Sequence, residues 1–473
     1  MSPISTSLAA ALLATTLFAT ATAEPLPGEY PLKKPAWKRE GNEQAFTDYK
    51  KTILDLMALP PEKVTAHPAA TDFPGVPAAD SKKITREVPM DTKIPRWHST
   101  GLYAAPGTIV TVEVPPDAAN AKLGVRIGCH QDKLWSEKIK SWTRVPEISR
   151  LFPVTEKSTP VANAFGGLIY IVVPPDCKLG EIKVTVRDAI PAPLFVAGKT
   201  DPVAWKKEIR DFPGPWAELA GKNLVISLPS ENIRKLDDPA AVIAFWDKVV
   251  AAEDDLAGTT ANRTSPERFV LDRQISAGYM HSGYPIMAWL DQAPKVANMD
   301  ELKKGSWGFF HELGHNHQNK MWTPEGTGEV TCNIFSMYCF EKVCGLPRRG
   351  HGAMNDASRE KQLREFYSNP ELAWTSNPFL ALNFYDQLVE GFGWDTFKKV
   401  FLVYRDMPEK DRPKTNPERL DEWLIHFSKA TGKDLGPFFV SWRIPVSEAA
   451  LKKAQGPPVW MPETDYPKRY QTP

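Results

Sequence analysis

Phe310-His311-Glu312-Leu313-Gly314-His315, followed by Gly328-Glu329-Val330-Thr331-Cys332-Asn333, is the stretch on which the reading of this chain turns. The first six residues contain HExxH. On a helix, His311 and His315 lie four residues apart and share a face. Two imidazoles so placed can hold one zinc ion, and Glu312 between them can reach the water that zinc activates. Such a metal needs a third protein ligand and an open position for chemistry. Without a metal the same letters describe a helix with two half-buried histidines and an exposed glutamate. Two features weigh against that. The preceding run, Gly305-Ser306-Trp307-Gly308-Phe309-Phe310, is apolar and aromatic, as a buried helix start would be. A polar face on such a helix lacks partners unless something satisfies it. Gly314 also sits inside the motif, where a helix loses about 1 kcal/mol relative to alanine; its missing side chain allows a neighbouring strand or substrate to come close.

Two carboxylates compete for the third position. Glu325 stands in turn chemistry, Thr323-Pro324-Glu325-Gly326. Glu329 opens an apolar run that reads as a helix to about Val343, ending at Gly345. A ligand on a rigid helix is held better than one on a Gly-flanked loop, which favours Glu329. Its alternative role is that of a carboxylate favoured by the helix dipole. Asn333, one turn further on the same face, is placed either to orient a zinc-bound imidazole or to serve as an ordinary buried polar residue. His317 is six residues from His311 and points off the ligand face, so it reads as structural or as a contact near the cleft.

The 473 residues carry a formal net charge of +1. That length suggests two to three domains, and the charge gives no reason to expect nucleic acid or an anionic membrane as partner. Residues 1–23 are small and apolar and end Ala21-Thr22-Ala23, an A-x-A-type site, so a cleaved signal peptide and an exported (secreted, cell-surface or periplasmic) protein are expected. No later segment is apolar enough to span a membrane. The five cysteines form no CxxC and propose neither a disulfide scaffold nor a metal site; buried apolar packing is the reading for Cys332 and Cys339.

The expected organisation is multidomain α+β. Residues 24–96 form a proline-rich lead with one helix near Glu43 to Leu59. Residues 97–196 alternate as half-buried strands, stopped twice by Pro-Pro pairs, and read as a β-sandwich. Residues 197–450 mix strands (Asn223 to Leu228, Phe269 to Ile275) with helices from Pro239 to about Ala257, from Pro378 to near Gly391 and from Asn416 to near Gly432. That suits a zincin-like, mostly helical catalytic domain with a small sheet. Residues 451–473 are left as a tail.

Trp307-Gly308-Phe309-Phe310-His311-Glu312-Leu313-Gly314-His315-Asn316-His317-Gln318, then Glu329-Val330-Thr331-Cys332-Asn333-Ile334, closely resembles the M60-like (enhancin-like) metallopeptidases. Their pattern is HExxH, a variable gap, then a zinc-binding glutamate; here the gap is thirteen residues. Ser99 to Gly107, Phe165 to Tyr170 and Ser282 to Ile286 resemble further family segments, so the likeness covers about residues 97–446. It implies a gluzincin fold, one zinc held by His311, His315 and Glu329, Glu312 as general base, and O-glycosylated or mucin-type proteins as substrate.

On that chemistry Glu312 takes a proton from the attacking water and passes it to the leaving amine. A second donor to the developing oxyanion is usually wanted. Tyr284, before Pro285, is a candidate, although a strand-edge aromatic packing the sheet has the same sequence signature. Trp307 and Trp322 flank the motif and are placed either to stack on sugar or to pack in the core. Two alternatives stand beside the O-glycopeptidase: a glycan-independent zinc peptidase, and a non-catalytic glycan-binding protein.

Overall fold

The computed structural model describes residues 43–470, with Gly41 and the short strand Trp37–Lys38 before them. The expected signal peptide lies outside the described residues. Compactness divides the chain into two units. One is drawn from Met1–Ile243, Thr264–His281 and Pro285–Ala297, the other from Ala244–Arg263, Ser282–Tyr284 and Asn298–Pro473.

The first unit is built on strands. Seven run antiparallel in the order Arg150–Pro153, Gly124–Ile127, Gly167–Val173, Arg96–Ala104, Glu181–Pro191, Val110–Glu113, Ser158–Val161, and Ile84–Asp91 also pairs with Glu181–Pro191. Alternation decides which face is buried: Val110, Val112, Val184 and Val186 are fully enclosed with Val125 and Ile127. Strand Glu181–Pro191 serves two sets of partners. Its earlier part pairs with Ile84–Asp91 and Val110–Glu113, while Ile190 and Pro191 pair with Arg96–Ala104. The change falls at an irregularity between Val186 and Ala189, where Asp188 has φ 62°.

The lead segment holds the expected helix, Glu43–Ala58, which buries Phe46, Tyr49 and Ile53. It differs from expectation in also supplying strand Ile84–Asp91. Pro89 lies within that strand and is tolerated because the strand is an edge, pairing on one side. The mixed six-stranded sheet of the same unit has the order Leu194–Val196, Trp216–Ala220, Leu224–Pro229, Glu267–Asp272, Ile286–Trp289, Met280–His281. Leu224–Pro229 and Glu267–Asp272 are parallel, which requires the long connection that contains helix Pro239–Ala257. The single domain expected for residues 197–450 thus gives its sheet to the first unit and most of its helices to the second.

The second unit is helical. Its main helices are Trp307–His317, Gly328–Lys342, Asp356–Ser368, Pro378–Asp406 and Asn416–Thr431. They close over an aromatic core that includes Phe335, Phe397, Phe401, Trp423, Phe427 and Trp442. Asn377 caps one helix by accepting from the Phe379 and Leu380 N–H groups at 2.8 and 3.3 Å. Thr415 and Glu418 form a reciprocal capping box on another, which ends at left-handed Gly432. Helix Pro378–Asp406 passes the stop expected near Gly391. It breaks direction at Gly393, whose φ is 71°, and continues to Asp406. Of the residues left as a tail, Val459 bridges Asp434, and Trp460 packs on Phe392 and Phe438 at 4.6 and 5.1 Å. Among the described residues no helix is long and apolar enough to cross a membrane.

Candidate metal centre

The HExxH helix, Trp307–His317, is held by its apolar side. Phe309 and Phe310 are buried against Trp246, and Leu313 is fully buried. The next helix, Gly328–Lys342, buries every residue from Val330 to Phe340. The two pack so closely at Gly314 that a Cβ there would lie 2.4 Å from the Cys332 carbonyl oxygen. The space left by the missing side chain is therefore taken by helix backbone, not by the strand or substrate expected from sequence.

This packing brings three ligand atoms together. His311 Nε2 and His315 Nε2 are 3.1 Å apart. Glu329 Oε2, from the first turn of the second helix, lies 3.1 Å from the first and 3.4 Å from the second. Ligands about 2.0–2.1 Å from a tetrahedral zinc stand about 3.3 Å apart. The spacing matches.

The other ring nitrogens fix the proton positions. Asn333 Oδ1 accepts from Trp307 Nε1 at 2.7 Å and faces His311 Nδ1 at 2.8 Å. An indole only donates, so the oxygen of the Asn333 amide is the end that faces both rings, and His311 Nδ1 must carry a proton. Gln318 does the same for His315. Its Nε2 donates to the Gly328 carbonyl at 2.7 Å, and its Oε1 faces His315 Nδ1 at 2.8 Å. With the proton on Nδ1, the neutral form of each imidazole turns its Nε2 toward the other ring and toward the Glu329 carboxylate, an arrangement that a bound cation would satisfy at all three atoms. The donor set fits zinc.

The family model for peptidase M60, enhancin and enhancin-like proteins matches residues 188–443, and that for the N-terminal domain of M60-like peptidases matches residues 79–187. The chain belongs to the M60 peptidase family. A TRPM8 channel-associated factor homolog of Xenopus laevis is 40% identical over 377 residues, covering 79% of this chain and 41% of the relative. The chain thus spans about two fifths of that relative's length. A conserved protein of unknown function from Bacillus anthracis shares the fold with a TM-score of 0.66 at 22% identity, covering 82% of this chain and 81% of its own. So does IMPa from Pseudomonas aeruginosa in complex with an O-glycopeptide, with a TM-score of 0.63 at 17% identity, covering 93% of this chain and 58% of that one.

Within this M60 chain, Glu312 is buried on the same helix turn as the histidines and is not among the converging ligand atoms. Glu325 is not brought to them either; its backbone N–H donates to Asn416 Oδ1 at 2.7 Å. Cys332, read from sequence as buried apolar packing, does join the group. Its Sγ is 3.4 Å from His311 Nδ1 and 3.8 Å from Nε2, and lies within 4.8 Å of a candidate ligand atom on each of His315 and Glu329. Trp307 is half-buried, and its N–H is committed to Asn333. Trp322 is core: fully buried and stacked on Phe401 at 4.3 Å. Tyr284 is half-buried beside Gly283, whose N–H and carbonyl both bond the Asn316 side chain at 3.0 Å, tying this segment to the motif helix.

His317 anchors the end of the motif helix. Its Nδ1 donates to the Leu313 carbonyl at 2.7 Å, and Nε2 meets Asp254 Oδ1 at 3.1 Å. Glu253 Oε2 is 3.1 Å from Nδ1. Burial opposes the imidazolium, but the hydrogen bonds to Asp254 and Glu253 outweigh it and raise His317 to about 9. Burial, with repulsion from Asp254, pushes Glu253 up to about 7, against the pull of His317.

Gln318 was missed as a functional residue. Its spacing of three from His315 on the last helical turn was the available signal.

Proposed function

We propose that this chain is a zinc-dependent endopeptidase acting on O-glycosylated, mucin-type proteins outside the cell that makes it. The observation that carries the reading is the convergence of His311 Nε2, His315 Nε2 and Glu329 Oε2 at 3.1–3.4 Å with both Nδ1 atoms committed elsewhere. Zinc bound there acidifies water and polarises a peptide carbonyl. Glu312 takes the proton of the attacking water and delivers it to the departing amine. Asn333 and Gln318 keep the imidazoles in the metal-binding tautomer, with Trp307 fixing Asn333. The O-glycopeptide held by the Pseudomonas aeruginosa relative supports the substrate class.

We read residues 84–191 as a β-sandwich ahead of a gluzincin-like catalytic half. Residues 1–23 are read as a removed signal peptide.

The test is mass spectrometry of one mucin-like glycoprotein incubated with the zinc-loaded protein, before and after enzymatic removal of its O-glycans. Cuts that need the glycan support the proposal. Equal cutting of both forms assigns a glycan-independent peptidase. Binding without cutting assigns a glycan-binding protein. Glu312→Gln is expected to keep zinc and fold and to lose cleavage; undiminished activity in that variant sinks the mechanism.

A further inference from the structure

His351 lies in the loop between helices Gly328–Lys342 and Asp356–Ser368, far in sequence from the motif. Its place is fixed. A Cβ on Gly350 would lie 2.7 Å from the Phe340 ring, so the loop backbone is pressed against that side chain. The His351 carbonyl accepts from the Met354 N–H at 2.8 Å. Its imidazole stacks flat on Phe379, with centroids 4.7 Å apart and planes at 8°. Its other contact is Trp307, at 4.9 Å, the residue whose indole holds Asn333 on His311.

The tautomer is also fixed. His351 Nδ1 accepts from the Ala353 N–H at 3.1 Å. A backbone amide only donates, so the imidazole proton sits on Nε2. Among the described residues no acceptor meets that N–H. Burial, then repulsion from the neighbouring His311, holds His351 below its ordinary value and keeps it neutral. A ring that served packing alone would need neither the pinned nitrogen nor a donor left without a protein acceptor.

We propose that His351 is a further catalytic residue of this centre, donating from Nε2 to the scissile carbonyl oxygen as negative charge builds there. This rests on the peptidase reading above. The proton stays on Nε2 throughout; the contribution is a hydrogen bond stronger to the tetrahedral state than to the planar substrate. It fills the role that sequence reasoning offered to Tyr284.

The experiment compares native protein, His351→Phe and His351→Gln, all zinc-loaded. Phenylalanine keeps the stack and removes the donor; glutamine restores one. Three quantities are measured: kcat and KM on an O-glycosylated peptide, zinc per chain, and calorimetric affinity for a phosphinic analogue built on the observed cut site. In His351→Phe, kcat and phosphinate affinity are each expected to fall roughly 100-fold, with KM within about twofold and zinc unchanged. His351→Gln should recover part of both. Native kcat and phosphinate affinity in His351→Phe overturn the proposal, as does loss of zinc in step with activity. A native protein that cleaves no peptide overturns the peptidase reading itself, and this inference with it.

Discussion

Gly314 and Cys332 touch backbone to backbone: a Cβ at Gly314 would meet the Cys332 carbonyl oxygen at 2.4 Å. That contact sets the separation of the two helices that carry the ligands. Alanine ordinarily stabilises a helix interior by up to about 1 kcal/mol over glycine. Here the sign should reverse. Gly314→Ala is expected to cost about 1–3 kcal/mol in urea unfolding and to weaken zinc affinity, because the helices must part. A variant as stable as the native protein would show that the contact is loose.

Asn333 and Gln318 each hold one imidazole by Nδ1, and the two can be separated. Asn333→Ala leaves the His311 and Trp307 N–H groups without their shared acceptor, and Gln318→Ala does the same for His315. Each is expected to lower zinc affinity by roughly 10–100-fold in competition with a chromophoric chelator. Trp307→Phe should cost less than Asn333→Ala, since it frees the amide to turn but leaves His311 an acceptor. If Trp307→Phe is the more damaging, the tryptophan's packing matters more than its hydrogen bond.

These positions show what the sequence made legible. His311, His315 and Glu329 were readable because two helical spacings, four residues and one helix start, carry the geometry. Asn333 followed from the same periodicity. His351 had no such link: it sits in a loop, brought near by the packing of Phe340 and Phe379, and no periodic rule connects it to the motif. Strand Ile84–Asp91 was hidden by Pro89 within it, although Ile84, Arg86, Val88 and Met90 alternate with the rest. The continuation past Gly393 was hidden by glycines that read as a stop and act as a kink.

Asp254 supports the motif helix through His317 and Arg263. Burial opposes its ionisation, but hydrogen bonds from His317 and Arg263 outweigh this and hold the carboxyl well below the usual range. A depressed folded pKa gives stability that is present above about pH 3.9 and is lost as pH falls through the folded value. In metal-stripped protein, Asp254→Asn should therefore cost about 3 kcal/mol near pH 5–6. The gap to the native protein should narrow steadily below pH 4. Urea titrations at stepped pH check this, and a gap that stays constant to pH 2 would assign the cost to packing alone.

Cys332 brings a sulfur within reach of the cluster, and its position says whether it binds. Ligand exchange at zinc favours thiolates, so a fourth ligand here would close the centre and leave no position for a substrate. Sγ is nearer to His311 Nδ1, at 3.4 Å, than to Nε2, at 3.8 Å, whereas His315 Nε2 and Glu329 Oε2 each approach Nε2 itself at 3.1 Å, so the tighter set of three excludes the sulfur. Cys332→Ala is accordingly expected to retain one zinc per chain, with affinity within about tenfold of native, below the loss expected for a missing ligand or its partner. Cobalt substitution reports the same point without a mutation. A cobalt-loaded native protein should show a tetrahedral visible spectrum without a sulfur-to-cobalt charge-transfer band. Such a band, lost in Cys332→Ala, would make the site a closed four-ligand centre and remove the vacancy that hydrolysis needs.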